Sequence, residues 1–276
     1  MAVLEGKVAF ISGGARGIGR SHAVRLAQEG ADIITFDICE QLDTVAYAGA
    51  TEDDLAQTVR DVEALDRRVV ARKADVRDRS AVQAVFDEGV AEFGRIDIVL
   101  AHAGIMPIIG EKAVGIQAWH DCIDIMLTGV LHTCEAAIPR LIEQGEGGSI
   151  VITSSVLGLK SIVRVLEMKN YGSLGYHAAK HGVVGLMRSY ANSLGPYGIR
   201  CNTVHPTGVN TPMVANPEFA LLCEEQPSVP EGLRNTLPVP LIEAVDVSNA
   251  IIYLCSDAGR YVSGITMPVD AGVTAY

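Results

Sequence analysis

Tyr176 and Lys180 are the first pair of side chains in this sequence whose types and spacing indicate chemistry. In a helix, a separation of four residues places a phenol and an ammonium group on the same face. A phenol has a pKa of about 10 and becomes a useful base near neutral pH only when a positive charge stabilises the phenolate. Ser155 and its neighbours place hydroxyl groups at the end of a predicted strand upstream. Alone the pair is a weak motif, so its weight depends on what else the chain contains.

A glycine-rich turn after the first predicted strand supplies that context. Gly13, Gly17 and Gly19 stand between a strand and a helix, where glycines permit a tight turn and close approach of the backbone to a pyrophosphate. The amide groups at the start of the following helix would face the anionic phosphates. The turn therefore predicts a dinucleotide site, and a purely structural turn is the alternative.

Asp37 and Arg16 bear on which dinucleotide is preferred. Asp37 ends the second predicted strand, 18 residues after Gly19, close to the spacing of the carboxylate that binds the adenosine ribose hydroxyls. A carboxylate there repels a 2′-phosphate and favours NAD over NADP. Arg16 favours the opposite choice, because a basic residue in this turn can pair with that phosphate. We therefore expect NAD, with NADP as the alternative.

The elements that must position these groups follow an α/β pattern. Short β-branched runs alternate with stretches of helical periodicity, which predicts a doubly wound Rossmann fold with a mostly parallel seven-stranded sheet flanked by helices. The predicted strands are residues 8–11, 33–36, 69–74, 96–101, 149–153, 199–204 and 265–269. Their nearly continuous apolar character suits strands that are covered on both faces.

The organisation of the chain predicts one catalytic domain over residues 1–276, since no repeat, linker or low-complexity segment divides it. Two segments look like additions to the basic layout. Residues 40–68 form an acidic, helix-forming insertion between two strands. Residues 210–240 contain six of the eleven prolines, and a long irregular segment of this kind predicts a substrate lid.

Composition excludes several classes of partner. The chain of 276 residues carries a net charge of −11 and is 49 % apolar, which suits a large core and argues against nucleic acid and anionic membrane surfaces. No uninterrupted apolar run approaches the roughly 18 residues of a membrane span, and the first residues lack the pattern of a signal peptide. The six cysteines show no metal-ligand spacing. We therefore expect a cytoplasmic protein with reduced thiols and no metal.

Taken together, the motifs resemble those of the short-chain dehydrogenase/reductase family over essentially the whole chain. Each motif is modest alone, but their order and spacing are specific. Besides the glycine-rich turn, they are Asp75-Val76 after the third strand, Ala103-Gly104 after the fourth, Ser155 after the fifth, Tyr176 with Lys180, and Pro206-Thr207-Gly208 after the sixth. Longer runs near Asp37, after Lys180 and over residues 202–213 are similar to the mycofactocin-associated, carveol-dehydrogenase-like members.

The resemblance implies an NAD-dependent oxidoreductase that interconverts a small apolar secondary alcohol and its ketone by hydride transfer. It implies that Tyr176 is the acid/base, that Lys180 stabilises its phenolate and holds the nicotinamide ribose, and that Ser155 orients the substrate oxygen. The implied cofactor contacts are Gly13, Arg16, Gly17, Ile18, Gly19, Asp37, Ile38, Asp75, Val76, His102, Ala103, Gly104, Tyr176, Lys180, Pro206, Gly208, Val209 and Thr211.

The insertion after Cys39 also fits the mycofactocin-associated subgroup. Three further properties follow from the resemblance alone. Members of this subgroup are implied to hold NAD tightly and to pass reducing equivalents to an external, peptide-derived acceptor of the mycofactocin type. A homo-oligomer, commonly a symmetric tetramer, is also implied.

Two positions depart from the family pattern. His102 stands where Asn usually precedes Ala-Gly, and Met126 stands where the fourth catalytic position is normally Asn. A Met can serve if a main-chain carbonyl alone holds a relay water, but not if the amide side chain fixes a helix kink. Met126 is therefore left out of the catalytic set, and a non-catalytic dinucleotide-binding redox sensor remains an alternative.

The remaining candidates are weaker. Residues 159–175 make the gap between Ser155 and Tyr176 longer than usual, and Tyr171 is a rival base without a paired lysine, because residue 175 is Gly. Three histidines without metal-ligand grouping are expected to be ordinary core or surface residues: His120, His132 and His205. A set of apolar residues lines either a substrate pocket or the plain core: Met106, Ile108, Ile109, Trp119, Met213, Phe219, Leu221 and Leu222.

Overall fold

The computed structural model describes residues 2–163, 166 and 169–275 and builds one sheet through them. The sheet has seven strands in the order β3-β2-β1-β4-β5-β6-β7, and every pairing is parallel. The strands are β1 (Val8–Ser12), β2 (Asp32–Asp37), β3 (Val69–Lys73), β4 (Ile98–Ala101), β5 (Gly148–Thr153), β6 (Ile199–Pro206) and β7 (Thr266–Val269). The predicted Rossmann fold is confirmed, and each predicted strand is found with its ends shifted by no more than two residues.

Helices cover both faces of this sheet. They are α1 (Gly17–Gln28), α2 (Glu52–Glu63), α3 (Arg79–Phe93), α4 (Ile116–Ile123), α5 (Gly129–Gln144), α6 (Tyr171–Leu194), α7 (Pro217–Glu225), α8 (Ser228–Gly232) and α9 (Ala244–Cys255). One core layer packs α3, α5 and α6 on the sheet, and the other packs α1 and α9 on the opposite face. The strand sequences are nearly continuous apolar runs because helices shield both faces of the sheet from solvent.

The helix that carries the Tyr and Lys pair is α6. It begins at Tyr171, where the Asn170 side chain accepts a hydrogen bond from the backbone amide of Ser173 and forms a capping box with it. An Asn cap three residues before a serine hydroxyl satisfies the first free amides of a helix. The pair therefore lies within a regular helix, one turn after its start.

The three segments that lengthen the basic layout differ in their content of regular secondary structure. The insertion at residues 40–68 consists of a loop followed by α2, and the predicted lid at residues 210–240 contains the short helices α7 and α8. The lid is thus less irregular than its prolines suggest, because Pro217 occupies the first turn of α7, where a missing amide costs nothing. The third segment, residues 159–175, includes positions 164, 165, 167 and 168, which lie outside the described residues.

The helical stretch Ile116–Gln144 is long and apolar enough, by length and composition, to cross a membrane. Its apolar window is 56 % buried inside the protein, as in a core helix of the α/β layer, so the stretch carries no membrane argument. All six cysteines are free thiols. Within the described part of the chain, no group of three metal-ligating side chains occurs.

Candidate active site

Ser155, Tyr176 and Lys180 converge at the carboxyl edge of the sheet. Ser155 follows β5, and Tyr176 and Lys180 lie on the α6 face that packs against that strand end. The Ser155 side chain lies close enough to Tyr176 to lower the pKa of its phenol, and Nζ of Lys180 lies 5.8 Å from the centre of the Tyr176 ring. All three side chains are buried. A hydroxyl, a phenol and an ammonium group thus share one water-poor corner.

Backbone contacts fix the strand end that carries Ser155. Nζ of Lys180 donates to the carbonyl of Thr153 at 2.9 Å. In return, the hydroxyl of Ser154 donates to the carbonyl of Lys180 at 2.7 Å. Consecutive residues of β5 are therefore tied to the same residue of α6, which holds the phenol, the hydroxyl and the ammonium group in register.

Burial sets the protonation of the two titratable groups. It raises the pKa of Tyr176 to about 12, although the hydrogen bond with Ser155 acts in the opposite direction. It lowers the pKa of Lys180 to about 8, because desolvation penalises the ammonium form. In the protein alone the phenol is neutral at pH 7. An additional positive charge in this corner would favour the phenolate.

The glycine-rich turn lies at the other end of the same cavity. A Cβ atom on Gly19 would lie 1.9 Å from the carbonyl oxygen of Gly13, and Gly13 itself has a φ of +79° and lies against Ala103. Only glycine fits these two positions. The first turn of α1 has no side-chain cap, and its residues Gly17 and Ile18 line the cavity. Free amides at such a helix start suit a phosphate group.

Asp37 and Arg16 have different partners in this part of the cavity. The carboxylate of Asp37 accepts hydrogen bonds from the backbone amides of Ala15 at 3.1 Å and Cys39 at 3.3 Å. The guanidinium of Arg16 donates to the carbonyl of Ala48 in the insertion. The Arg16 guanidinium therefore already binds the loop of the insertion. Asp37 lies at the end of β2, where a ribose would lie.

A continuous cavity of about 880 Å³ joins the glycine-rich turn to Ser155, Tyr176 and Lys180. Its lining includes every residue implied to be catalytic or to bind the cofactor except Gly19, which packs beneath the turn. The lining residues among that set are Gly13, Arg16, Gly17, Ile18, Asp37, Ile38, Asp75, Val76, His102, Ala103, Gly104, Ser155, Tyr176, Lys180, Pro206, Gly208, Val209 and Thr211.

The loop of the insertion contributes lining residues that sequence reasoning missed: Glu40, Leu42, Val45, Tyr47, Gly49 and Ala50. The hydroxyl of Tyr47 accepts a hydrogen bond from the backbone amide of Met106 at 3.1 Å. The hydroxyl of Thr44 donates to the buried carboxylate of Asp121 at 2.5 Å. The position of the loop after a strand's carboxyl end was the available signal, but nothing in its composition marks Tyr47.

The predicted apolar set divides between the cavity and the core. Met106, Met213 and Phe219 line the cavity, whereas the remaining five are not among its lining residues: Ile108, Ile109, Trp119, Leu221 and Leu222. The predicted lid adds further apolar groups, including Val214, Leu233 and Leu237. The end of the cavity beside Tyr176 therefore has mainly apolar walls, a shape typical of a site for a small apolar ligand.

Met126 and His102 occupy the positions that depart from the family pattern. Met126 lies within a π-helical turn, Asp124–Thr128, between α4 and α5 and is fully buried. This kink therefore forms without an amide side chain. Nδ1 of His102 lies 3.0 Å from the hydroxyl of Thr153, and burial lowers the pKa of His102 to about 3. His102 is thus neutral and contacts the last residue of β5, two residues before Ser155.

Comparisons with known proteins agree with this geometry. A family model described as "Enoyl-(Acyl carrier protein) reductase", of the short-chain dehydrogenase type, matches residues 13–274. An uncharacterised oxidoreductase of Mycobacterium tuberculosis is 54 % identical and aligned over 98 % of this chain and 96 % of its own. The (-)-trans-carveol dehydrogenase of Rhodococcus erythropolis is 45 % identical, with 99 % of both chains covered.

A crystal structure of carveol dehydrogenase from Mycobacterium avium in complex with NAD has the same fold. It superposes with a TM-score of 0.91 at 46 % identity, and the alignment covers 100 % of both chains. The family model and these full-length relatives reach far beyond the shared motifs. The chain therefore belongs to the short-chain dehydrogenase/reductase family.

Proposed function

We propose that this protein is an NAD-dependent dehydrogenase that interconverts a small apolar secondary alcohol, of the carveol type, and its ketone. The observation that carries the proposal is one cavity with two distinct ends. At one end the uncapped start of α1 and Asp37 suit a dinucleotide, and at the other Tyr176 meets Ser155 and Lys180. The carveol dehydrogenases among its relatives support the alcohol class.

In the proposed reaction, Tyr176 takes the hydroxyl proton of the alcohol while Ser155 hydrogen-bonds the same oxygen. Bound NAD supplies the acceptor for hydride from the carbinol carbon. Lys180 stabilises the phenolate electrostatically, which is needed because burial alone disfavours that charge. Apolar walls from the lid and from Met106 exclude water and hold the hydrocarbon part of the substrate.

We also propose that NAD stays bound between turnovers and is reoxidised in place by an external acceptor of the mycofactocin type. The insertion supports this idea because three contacts hold its loop at the cavity: Arg16 with Ala48, Thr44 with Asp121, and Tyr47 with Met106. A loop that is fastened at several points opens slowly. Dissociation of a ligand beneath it would be slow for the same reason.

Replacement of Tyr176 by Phe tests the assignment of the acid/base. We expect reduction of bound nicotinamide by (-)-trans-carveol, with an artificial electron acceptor present, to fall by at least about 100-fold. NAD should still be found by mass spectrometry of the small molecules released from the purified variant. Tyr171→Phe is the matched control, because Tyr171 lies on the same helix but is 47 % exposed and does not line the cavity. Full activity of Tyr176→Phe would refute the proposal.

The same released molecules decide between the alternatives. NADP in place of NAD would indicate a carbonyl reductase of the same fold, which the engagement of Arg16 with Ala48 disfavours. A bound dinucleotide that no alcohol of a panel reduces would indicate a redox sensor. Retention of Ser155, Tyr176 and Lys180 disfavours this second alternative, since a binding protein needs no activated phenol.

Three further parts of the proposal concern the whole protein. We infer that residues 1–276 work as one catalytic domain whose residues 210–240 act as a lid over the substrate. We infer a homo-oligomer, with a tetramer as the expected form, which light scattering after gel filtration measures directly. A cytoplasmic location is consistent with the six free thiols.

A further inference from the structure

His205 lies directly behind Ser155, although the sequence predicts an ordinary core or surface histidine. β6 carries it to the carboxyl edge of the sheet, beside the end of β5. Its Nδ1 lies 2.8 Å from the carbonyl oxygen of Ser155, and its Nε2 lies 2.8 Å from the hydroxyl of Thr203. The ring is fully buried, and both of its nitrogens have a partner.

The partners define the tautomer of this ring. A carbonyl oxygen can only accept, so Nδ1 of His205 carries the proton and donates to Ser155. Burial lowers the pKa of His205 to about 4, with a smaller contribution from the charge of Lys180. The ring is therefore neutral near pH 7, Nε2 carries no proton, and the hydroxyl of Thr203 donates to it. The hydrogen bonds run in one direction, from Thr203 through His205 to Ser155.

The contact acts on the turn that holds the Ser155 hydroxyl. The carbonyl of Ser155 also accepts from the backbone amide of Gly158 at 2.9 Å, which closes the short 3₁₀ turn Val156–Gly158. Within this turn the Ser155 hydroxyl oxygen accepts from the amide of Leu157 at 3.1 Å. A shift of the Ser155 carbonyl would therefore move the hydroxyl that meets Tyr176.

We propose that His205 is a positioning residue for Ser155: its Nδ1–H holds the Ser155 carbonyl, so that the Ser155 hydroxyl stays aligned with Tyr176 and the substrate oxygen. The proposal rests on the proposed function, because Ser155 is its point of action. His205 itself does not line the cavity, so it acts through Ser155 and not on the substrate.

A double-mutant cycle with Ser155→Ala separates positioning from packing. His205→Leu keeps much of the volume and removes both ring nitrogens, whereas His205→Asn retains a donor near the place of Nδ1. We expect His205→Leu to slow single-turnover reduction of bound NAD by (-)-trans-carveol about tenfold, with NAD content unchanged. His205→Asn should recover most of this rate. In the Ser155→Ala background, His205→Leu should lower the single-turnover rate by less than about twofold.

Thr203→Val is the matched control, because it removes a hydrogen bond to the same ring but from the other nitrogen. It should slow the reaction far less than His205→Leu. Equal losses from His205→Leu with and without the Ser155 hydroxyl would overturn the proposal and indicate packing alone. A His205→Asn variant as slow as His205→Leu would do the same.

A measurement that needs no activity keeps this inference separate from the proposed function. Nitrogen-15 NMR of histidine-labelled protein, with the His205 signal identified by its loss in His205→Asn, reports which nitrogen is protonated. A neutral ring with the proton on Nδ1 between about pH 5 and pH 8 supports the contact. A proton on Nε2, or on both nitrogens, overturns it. Failure of the wild type to oxidise any alcohol would instead refute the proposed function.

Discussion

Lys180 places one buried ammonium group beside Tyr176, at the end of the cavity away from the glycine-rich turn. Its Nζ donates to the Thr153 carbonyl and lies near the Tyr176 ring. With a pKa lowered to about 8 by burial, it is charged at neutral pH. That charge opposes the effect of burial on the neighbouring phenol, whose pKa is raised to about 12 in the protein alone.

This arrangement predicts the direction of a pH effect on Lys180→Met. In the proposed reaction, alcohol oxidation needs the Tyr176 phenolate, so we expect the rate to rise as pH rises through the Tyr176 pKa of the complex. Removal of a nearby positive charge raises that pKa and should move the rising limb to higher pH by about one unit or more. The pH profile of kcat/KM for alcohol oxidation measures the shift. Lys112→Met, which removes an exposed lysine, should leave the profile in place, and an unmoved profile in Lys180→Met would contradict the role.

At the scale of elements, the insertion between β2 and β3 is fastened both to the glycine-rich turn and to α4. The hydroxyl of Thr58 on α2 donates to the carbonyl of Gly14 at 2.9 Å. The loop before α2 reaches Asp121 on α4 through Thr44. Asp121 is buried and also accepts from Gln117 at 2.9 Å, so the loop is attached to a well-ordered acceptor.

The Thr44 contact predicts a change in cofactor exchange. Thr44→Val removes the hydroxyl at nearly constant volume, and a hydrogen bond to a carboxylate contributes about 1.5–3 kcal/mol. We expect retained NAD to exchange with isotopically labelled NAD at least about tenfold faster, as measured by mass spectrometry of the protein-bound pool. Ser80→Ala removes a hydroxyl–carboxylate contact of 2.6 Å that is exposed and does not line the cavity. If both variants exchange NAD at the same rate, the loop does not retain the cofactor.

The site could be predicted from the sequence where residue type and spacing carry the geometry. The glycine-rich turn and the Tyr176 and Lys180 pair are of this kind, since each lies on one element or one junction. Tyr47 and Thr44 could not be predicted, because their partners at Met106 and Asp121 are distant in sequence and become neighbours only after folding. Met126 also needed the structure, because a π-helical turn depends on packing and not on a local motif.

At the scale of the whole molecule, the amino edge of the sheet is fastened by a buried carboxylate. Asp97, at the start of β4, accepts from the backbone amide of Val8 at 3.0 Å, from Lys7 at 3.0 Å and from Arg95 at 2.6 Å. Burial raises the pKa of Asp97, but these hydrogen bonds and charges outweigh it, and the pKa lies below its ordinary value. The contacts join two neighbouring strands, β1 and β4, at their first residues.

Asp97→Asn should therefore destabilise the protein at neutral pH, because it removes a charge that is paired only in the folded state. We expect the free energy of unfolding in urea to fall by about 1–3 kcal/mol. A folded-state pKa below the unfolded value stabilises the protein above the unfolded pKa, and this contribution is lost as pH falls through the folded pKa. The difference from wild type should thus shrink below about pH 4. Glu143→Gln, in an exposed pair with Arg140, should have little effect at either pH, and an equal loss in both variants would argue against the buried network.

The type of sheet could be predicted from the sequence. Apolar runs that alternate with stretches of helical periodicity permit few arrangements other than a parallel, doubly wound sheet. What the sequence left open was the detail at strand ends and in the lid. β4 begins two residues later than its apolar run, at Ile98, because Asp97 turns its side chain to the neighbouring strand. In the predicted lid, Pro217 begins α7 and Pro227 immediately precedes α8, although its prolines suggest an irregular path.

All seven strands run in the same direction. The carboxyl ends of the strands therefore lie at one edge of the sheet, and the amino ends lie at the other. The insertion, the predicted lid and the turn with Ser155 all follow the carboxyl ends of strands, whereas the Asp97 network lies at the amino edge. Descendants of such a chain can acquire new substrates by lengthening or replacing loops at one edge, with little effect on the contacts that fold the other. The loops that can change substrate choice and the contacts that stabilise the fold thus lie at opposite edges of the sheet.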